Sequence, residues 1–159
     1  MFLKIVVLAL SVIILSTPLA ECRSEKLPLG LRIWYPDNWQ KVYGPDRLIT
    51  RSPDGSTVVM FTILRADSIE SAQEKILQEL SRVFGSNIKV ITQPTQSKIN
   101  KLDGVIMDGI GTISEVYVMW IARAAIYKDK TLMVLGCVES SKFSLNSDIV
   151  RKIIQSVKR

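Results

Sequence analysis

The chain of 159 residues has no histidine and only two cysteines. Without an imidazole there can be no Ser-His-Asp or Cys-His nucleophile system, no histidine-bearing zinc site and no imidazole ligand for haem. Cys22 and Cys137 stand too far apart in sequence to form a CxxC redox or metal centre. A Walker or dinucleotide-binding glycine pattern is also missing. Gly104, Gly109 and Gly111 lie in a strand-like run with no helix behind them to receive a phosphate, and are expected as bulges or points of close packing. No S-x-x-K spacing comes with the motifs that would mark a Ser-Lys hydrolase. Asp103 and Asp108, five residues apart in an extended run, are expected on opposite strand faces, too far apart in direction to share acid/base work. The sequence therefore predicts a non-enzymatic protein with no catalytic residue, no cofactor and no metal site.

Dense runs of one charge are lacking as well. The basic residues are scattered through Arg32, Arg47, Arg51, Lys89, Lys98, Arg123, Lys128 and Arg151 rather than interleaved with aromatics, so no nucleic-acid partner is expected. The formal charge is +6. That excess favours anionic surfaces, and it leads to an expected association with a membrane surface or an acidic partner.

The one long apolar run sits at the start. Lys4 is followed by Ile5 to Leu15, interrupted only by Ser11, and then by the small, helix-breaking exit Ser16, Thr17, Pro18, Leu19 and Ala20. This order reads as a secretory signal peptide over 1–20. A permanent anchor needs about 20 predominantly apolar residues, more than this run supplies before Pro18. The address is thus export, to a periplasm or beyond. Leu19, Ala20, Glu21 and Cys22 also resemble the signal before the lipidated cysteine of bacterial lipoproteins, with Glu21 departing from its small residue. A membrane-tethered form lipidated at Cys22 is the alternative. A Cys22–Cys137 bridge is a further alternative, worth roughly 4–5 kcal/mol for so long a loop. Cys137 itself reads best as a small buried residue in a strand.

Loss of the leader removes Lys4 and no acidic residue, which lowers the formal charge to +5. The mature chain then comprises a polar lead over 21–30 and a single domain over 31–159, a size that one core can serve. Leu31, Ile33 and Tyr35 alternate with Arg32 and Trp34 as in a strand, and Trp39 to Tyr43 makes a second extended piece. Leu48–Arg51 and Thr57–Leu64 flank the Pro53-Asp54-Gly55 turn as a hairpin, and the second strand, apolar on both faces, is expected at the sheet centre. From Asp67 the period changes. Ile69, Ala72, Ile76, Leu77, Leu80, Val83 and Phe84 line one helical face, with Asp67 as cap and Gly85 as stop. A strand at Ile88–Ile91 and a polar edge or loop over Gln93–Asn100 come next. Three strands come after it, Gly104–Ile113, Val116–Tyr127 and Thr131–Val138, and then a last helix capped by Asn146 or Ser147 with Asp148 in its first turn.

Strands in hairpin-length groups with two helices predict an α+β fold, a mostly antiparallel β-sheet with helices packed on it. Several local features carry a family likeness. They are Tyr35-Pro36 before Trp39, the Asp54-Gly55 hairpin before a very apolar strand, the amphipathic helix after it, Asp103-Gly104 before a strand, the hairpin through Tyr127 to Leu135, and the closing Ile154-Gln155-Ser156-Val157. Together they resemble the Mog1/PsbP-like fold, an αβα sandwich, in the flavour of small exported DcrB-type bacterial proteins of unknown function. The resemblance implies docking to partners and carries no residue roles with it. Trp34, Trp39 and Tyr35 are the candidate contacts for a partner or ligand, Trp34 foremost because it shares a strand face with Arg32. The function expected is an exported accessory protein of the cell envelope acting through protein–protein contacts with an unknown partner. The alternative is a carrier or sensor of a small apolar or lipid ligand.

Overall fold

The computed structural model describes residues 22–27 and 29–159. The expected leader over 1–20 and the state of the Cys22 side chain lie outside the described residues. In chain order the elements are β1 (Cys22–Lys26), β2 (Arg32–Pro36), β3 (Gln40–Tyr43), β4 (Arg47–Arg51), β5 (Thr57–Leu64), α1 (Ile69–Phe84), β6 (Ile88–Ile99), β7 (Leu102–Ile113), β8 (Val116–Tyr127), β9 (Lys130–Glu139) and α2 (Phe143–Gln155). Strands β3 to β9 form one antiparallel sheet in the order β3-β4-β5-β9-β8-β7-β6, and β1 pairs with β2 in a separate ribbon. The α+β reading holds, and β5 lies inside the sheet between β4 and β9.

The sheet separates two cores. On one face α1 lays Ala72, Ile76, Leu80 and Phe84 over Val105, Met107, Trp120, Ala122 and Met133. On the other, α2 brings Val150, Ile153 and Ile154 against Leu31, Ile33 and Tyr35 of the ribbon and Leu132 and Val134 of the sheet. Each fully buried Leu, Ile or Phe among them contributes about 1.5–3 kcal/mol relative to exposure. Central β9 is buried from Thr131 to Val138, since both its faces are covered. Gly136 sets the spacing there: a Cβ at that position would run into Cγ1 of Val150, so its absence lets α2 lie directly on the strand.

Two helix starts differ from the sequence reading. The cap of α1 is Ser68, not Asp67. The Ser68 hydroxyl accepts from the Ser71 N–H at 3.2 Å, and the Ser71 hydroxyl accepts from the Ser68 N–H at 3.2 Å. Asp67 stands one residue too early to reach those groups. Likewise α2 begins at Phe143, because a 3₁₀ turn over Ser140–Lys142 has already wound the chain. Asn146 therefore sits inside the helix, where its amide donates to the Ser56 and Thr57 hydroxyls at 2.9 and 3.0 Å, and Asp148 falls beyond the first turn. The stretch read as a short strand plus loop is one edge strand, β6, with register shifts on either side of Thr92 that admit Pro94. The polar lead carries β1, which adds to β2 from Cys22↔Pro36 to Lys26↔Arg32.

Candidate functional site

Helix α1 packs over β6, β7 and β8 and leaves the other half of its sheet face uncovered. The result is an open groove of about 750 Å³ above β4, β5 and β9. That volume falls within the range of known ligand clefts, roughly 300–1,000 Å³. Ile49, Val58, Met60, Val118, Leu135 and Cys137 make its floor. Val83 of α1 and the β7–β8 tip, Ile113 to Val116, form one wall, and Arg47 and Arg51 stand along β4 opposite. Strand register explains the composition. Residues 47, 49 and 51 share one face of β4 and pair across to Thr62, Met60 and Val58, which pair in turn with Met133, Leu135 and Cys137.

The groove's polar groups are unevenly satisfied. Asp54 accepts from the Ser52 and Ser56 hydroxyls at 2.7 and 2.8 Å, and these bonds hold its carboxyl down at about 2. Glu139 accepts from the Ser141 hydroxyl at 2.7 Å. Arg47 is less well supplied: its Nη2 lies 3.8 Å from Oε2 of Glu79, and its Nη1 meets only the Met60 sulfur at 3.9 Å among the described residues. Glu79 is buried on α1, with Oε1 taking Arg82 at 2.6 Å and Oε2 lacking a hydrogen-bond partner among the described residues. Beside Arg47 in the register, Thr62 is buried with its hydroxyl also unpartnered there. The Cys137 thiol on the floor is free, and burial pushes it up to about 12, so it is a neutral apolar surface rather than a nucleophile.

The opposite face carries a smaller cleft of about 390 Å³ between the ribbon and β3–β5, floored by Leu48, Phe61, Ile63 and Leu132. At its mouth one carboxylate, Glu25, gathers the hydroxyls of Tyr35 and Tyr43 and the ammonium of Lys41 at 3.2 Å. These bonds use its acceptor capacity, so the cluster ties β1 to β2 and β3.

Of the residues singled out in the sequence, Tyr35 and Trp39 are buried in the α2-side core. The Tyr35 hydroxyl donates to Glu25 at 2.5 Å. Trp34 is half-buried against the same core, its backbone N–H donating to the Ser156 hydroxyl at 2.8 Å. None of the three lines the groove on the α1 face. Asp103 and Asp108 are separated as expected. Asp108 pairs with Arg123 at 2.6 Å, whereas Asp103 is exposed and 3.9 Å from Lys98. Among the described residues no three His, Cys, Asp or Glu side chains lie where they could hold a metal, and no helix is long and apolar enough to cross a membrane. The groove itself was missed by sequence reasoning. Its signal was the alternation Arg47-x-Ile49-x-Arg51, a strand face that is cationic around an apolar centre.

No protein-family model and no curated protein matches the sequence. Solved structures do match the fold. Cyanobacterial PsbP (CyanoP) from Synechocystis superposes with a TM-score of 0.70 at 8% identity, over 90% of this chain and 95% of that one. LpqN of Mycobacterium tuberculosis, described as involved in cell envelope biogenesis, superposes with a TM-score of 0.56 at 10% identity, over 80% and 82%. PA94 of Pseudomonas aeruginosa, a protein of unknown function described as a putative regulator, gives 0.52 at 11%, over 87% and 96%. The chain thus has a PsbP/Mog1-like fold.

Proposed function

We propose that this is an exported, non-enzymatic accessory protein of the cell envelope that acts by binding a protein partner. The observation that carries the reading is the exposed apolar β7–β8 tip, where Tyr117 is 74% exposed and Val116, which lines the groove, is 46% exposed. Large apolar side chains left exposed at the tip of a hairpin are what a partner covers. The cell-envelope role of LpqN, which shares the fold, supports the compartment, as does the leader read in the sequence. A mature charge of +5 also suits contact with anionic headgroups nearby. The test is site-specific photocrosslinking in the native envelope from position 117. Capture of one defined protein, lost in Tyr117→Asp, supports the reading. Absence of any crosslink above that from a distant exposed position, such as Lys41, together with turnover in a hydrolase substrate panel, overturns it.

A second reading, a carrier or sensor of a small apolar ligand, is favoured by the concavity of the groove and its apolar floor.

A further inference from the structure

Taking the groove as a ligand site, as in the second reading above, we infer that it binds a single-chain amphiphile with an anionic carboxylate head, the chain lying on the floor and the head at Arg47 and Arg51. The floor presents Ile49, Val58, Met60, Val118 and Leu135, and a thiol that burial keeps neutral. Such a surface accepts an alkyl chain and offers nothing to a polar one.

The choice of head rests on which hydrogen bonds are still unmade. A guanidinium carries five N–H donors, and the Arg47 side chain spends them on a carboxylate oxygen at 3.8 Å, beyond hydrogen-bond length, and on a thioether, a weak acceptor. Around it, the Thr62 hydroxyl is buried without a partner among the described residues and can donate to an anionic head, while the charge of Glu79 is already paired with Arg82 at 2.6 Å. Arg51, two residues along the same strand face, forms no ion pair among the described residues. The acids near it, Asp54 and Glu139, already accept from serine hydroxyls. Arg47 meets the carboxylate directly, and Arg51, whose guanidinium lies over Gly55 and whose side chain is exposed, turns along the rim to it; the head supplies the acceptors the protein withholds. A neutral head offers Arg47 only uncharged acceptors, and a cationic head offers none.

The measurement is displacement of a fluorescent dansyl-undecanoate probe from the mature protein by three twelve-carbon competitors, each below its critical micelle concentration. These are dodecanoate, neutral dodecyl maltoside and cationic dodecyltrimethylammonium. Dodecanoate is expected to compete at least about tenfold better than either of the others, a charge-assisted hydrogen bond's worth of preference. That preference is expected to weaken in Arg51→Gln, whose exposed side chain leaves folding intact, and to vanish in Arg47→Met/Arg51→Gln. Dodecyl maltoside binding as tightly as dodecanoate overturns the anionic head while leaving the groove a ligand site. Failure of all three to bind overturns the head and the ligand site together. An unchanged preference in the folded Arg51→Gln protein also overturns the assignment of the head.

Discussion

Gly109 of β7 lies directly beneath the indole of Trp120 on β8. The two are register partners, and a Cβ on Gly109 would run into Cζ2 of the ring and the Lys89 carbonyl oxygen of β6. The indole N–H donates to the Ile110 carbonyl at 3.1 Å, and Phe84 of α1 closes over the ring with centroids 6.2 Å apart. A single missing methyl thus admits both the largest side chain of the α1-side core and the close approach of β6. Gly109→Ala is expected to cost about 1–3 kcal/mol through overpacking, read as a lowered urea midpoint with an unchanged slope.

Tyr35 predicts a loss of stability in alkali. Burial first, and then the hydrogen bond and charge of Glu25, raise its hydroxyl above the ordinary 10.0. The folded chain therefore keeps a proton that the unfolded chain gives up. Its stabilisation is whole below pH 10 and is lost as the pH rises through and past that value. Urea midpoints measured from about pH 8 to 11 are expected to fall most steeply above 10, and to fall less in Tyr35→Phe. At neutral pH that variant loses about 1.5–3 kcal/mol, the worth of a hydrogen bond to a charged partner. An equally steep alkaline fall in Tyr35→Phe would assign the effect elsewhere.

Cys137 predicts a silent thiol. With its ionisation moved from 9.0 up to about 12 by burial, almost none of it is thiolate near about pH 8. In a Cys22→Ser background, a thiolate-directed disulfide reagent is expected to label the folded protein only at the rate of global unfolding, and to label it at once in denaturant. Fast labelling of the native form would mean that the floor of the groove opens.

Asn146 joins α2 to the β4–β5 hairpin through two hydroxyl acceptors, Ser56 and Thr57. Asn146→Ala is expected to cost about 0.5–1.5 kcal/mol, since Ser56 keeps Asp54 as a partner. A cap would behave differently: Asn146→Ser or Asn146→Asp would restore a cap but cannot restore two donated bonds. Thermal unfolding of the three variants separates the roles.

The position of Asn146 shows where sequence patterns stop. Periodicity located α1, the β4–β5 hairpin and the long β7–β8–β9 meander, because those segments bury one face or both and the burial imposes the repeat. A cap, by contrast, depends on which neighbour arrives first: Asn146 is claimed by Ser56, far earlier in the chain. The aromatics illustrate the same limit. Trp39 and Tyr35 suggest an anchor-rich segment, but the ribbon of β1 and β2 folds them inward. The groove is a surface formed by an omission, the half of a sheet face that α1 is too narrow to cover, and no residue pattern announces an omission. Only Arg47-x-Ile49-x-Arg51 hints at it.

The sheet's two borders limit how copies of the protein can meet. On one side it ends in β3, four exposed residues that include Lys41. On the other it ends in β6, whose register slips twice and whose Pro94 offers no amide hydrogen. Neither border presents the long straight row of free amides on which fibrils grow, so concentrated solutions of the folded domain are protected from strand-by-strand polymerisation.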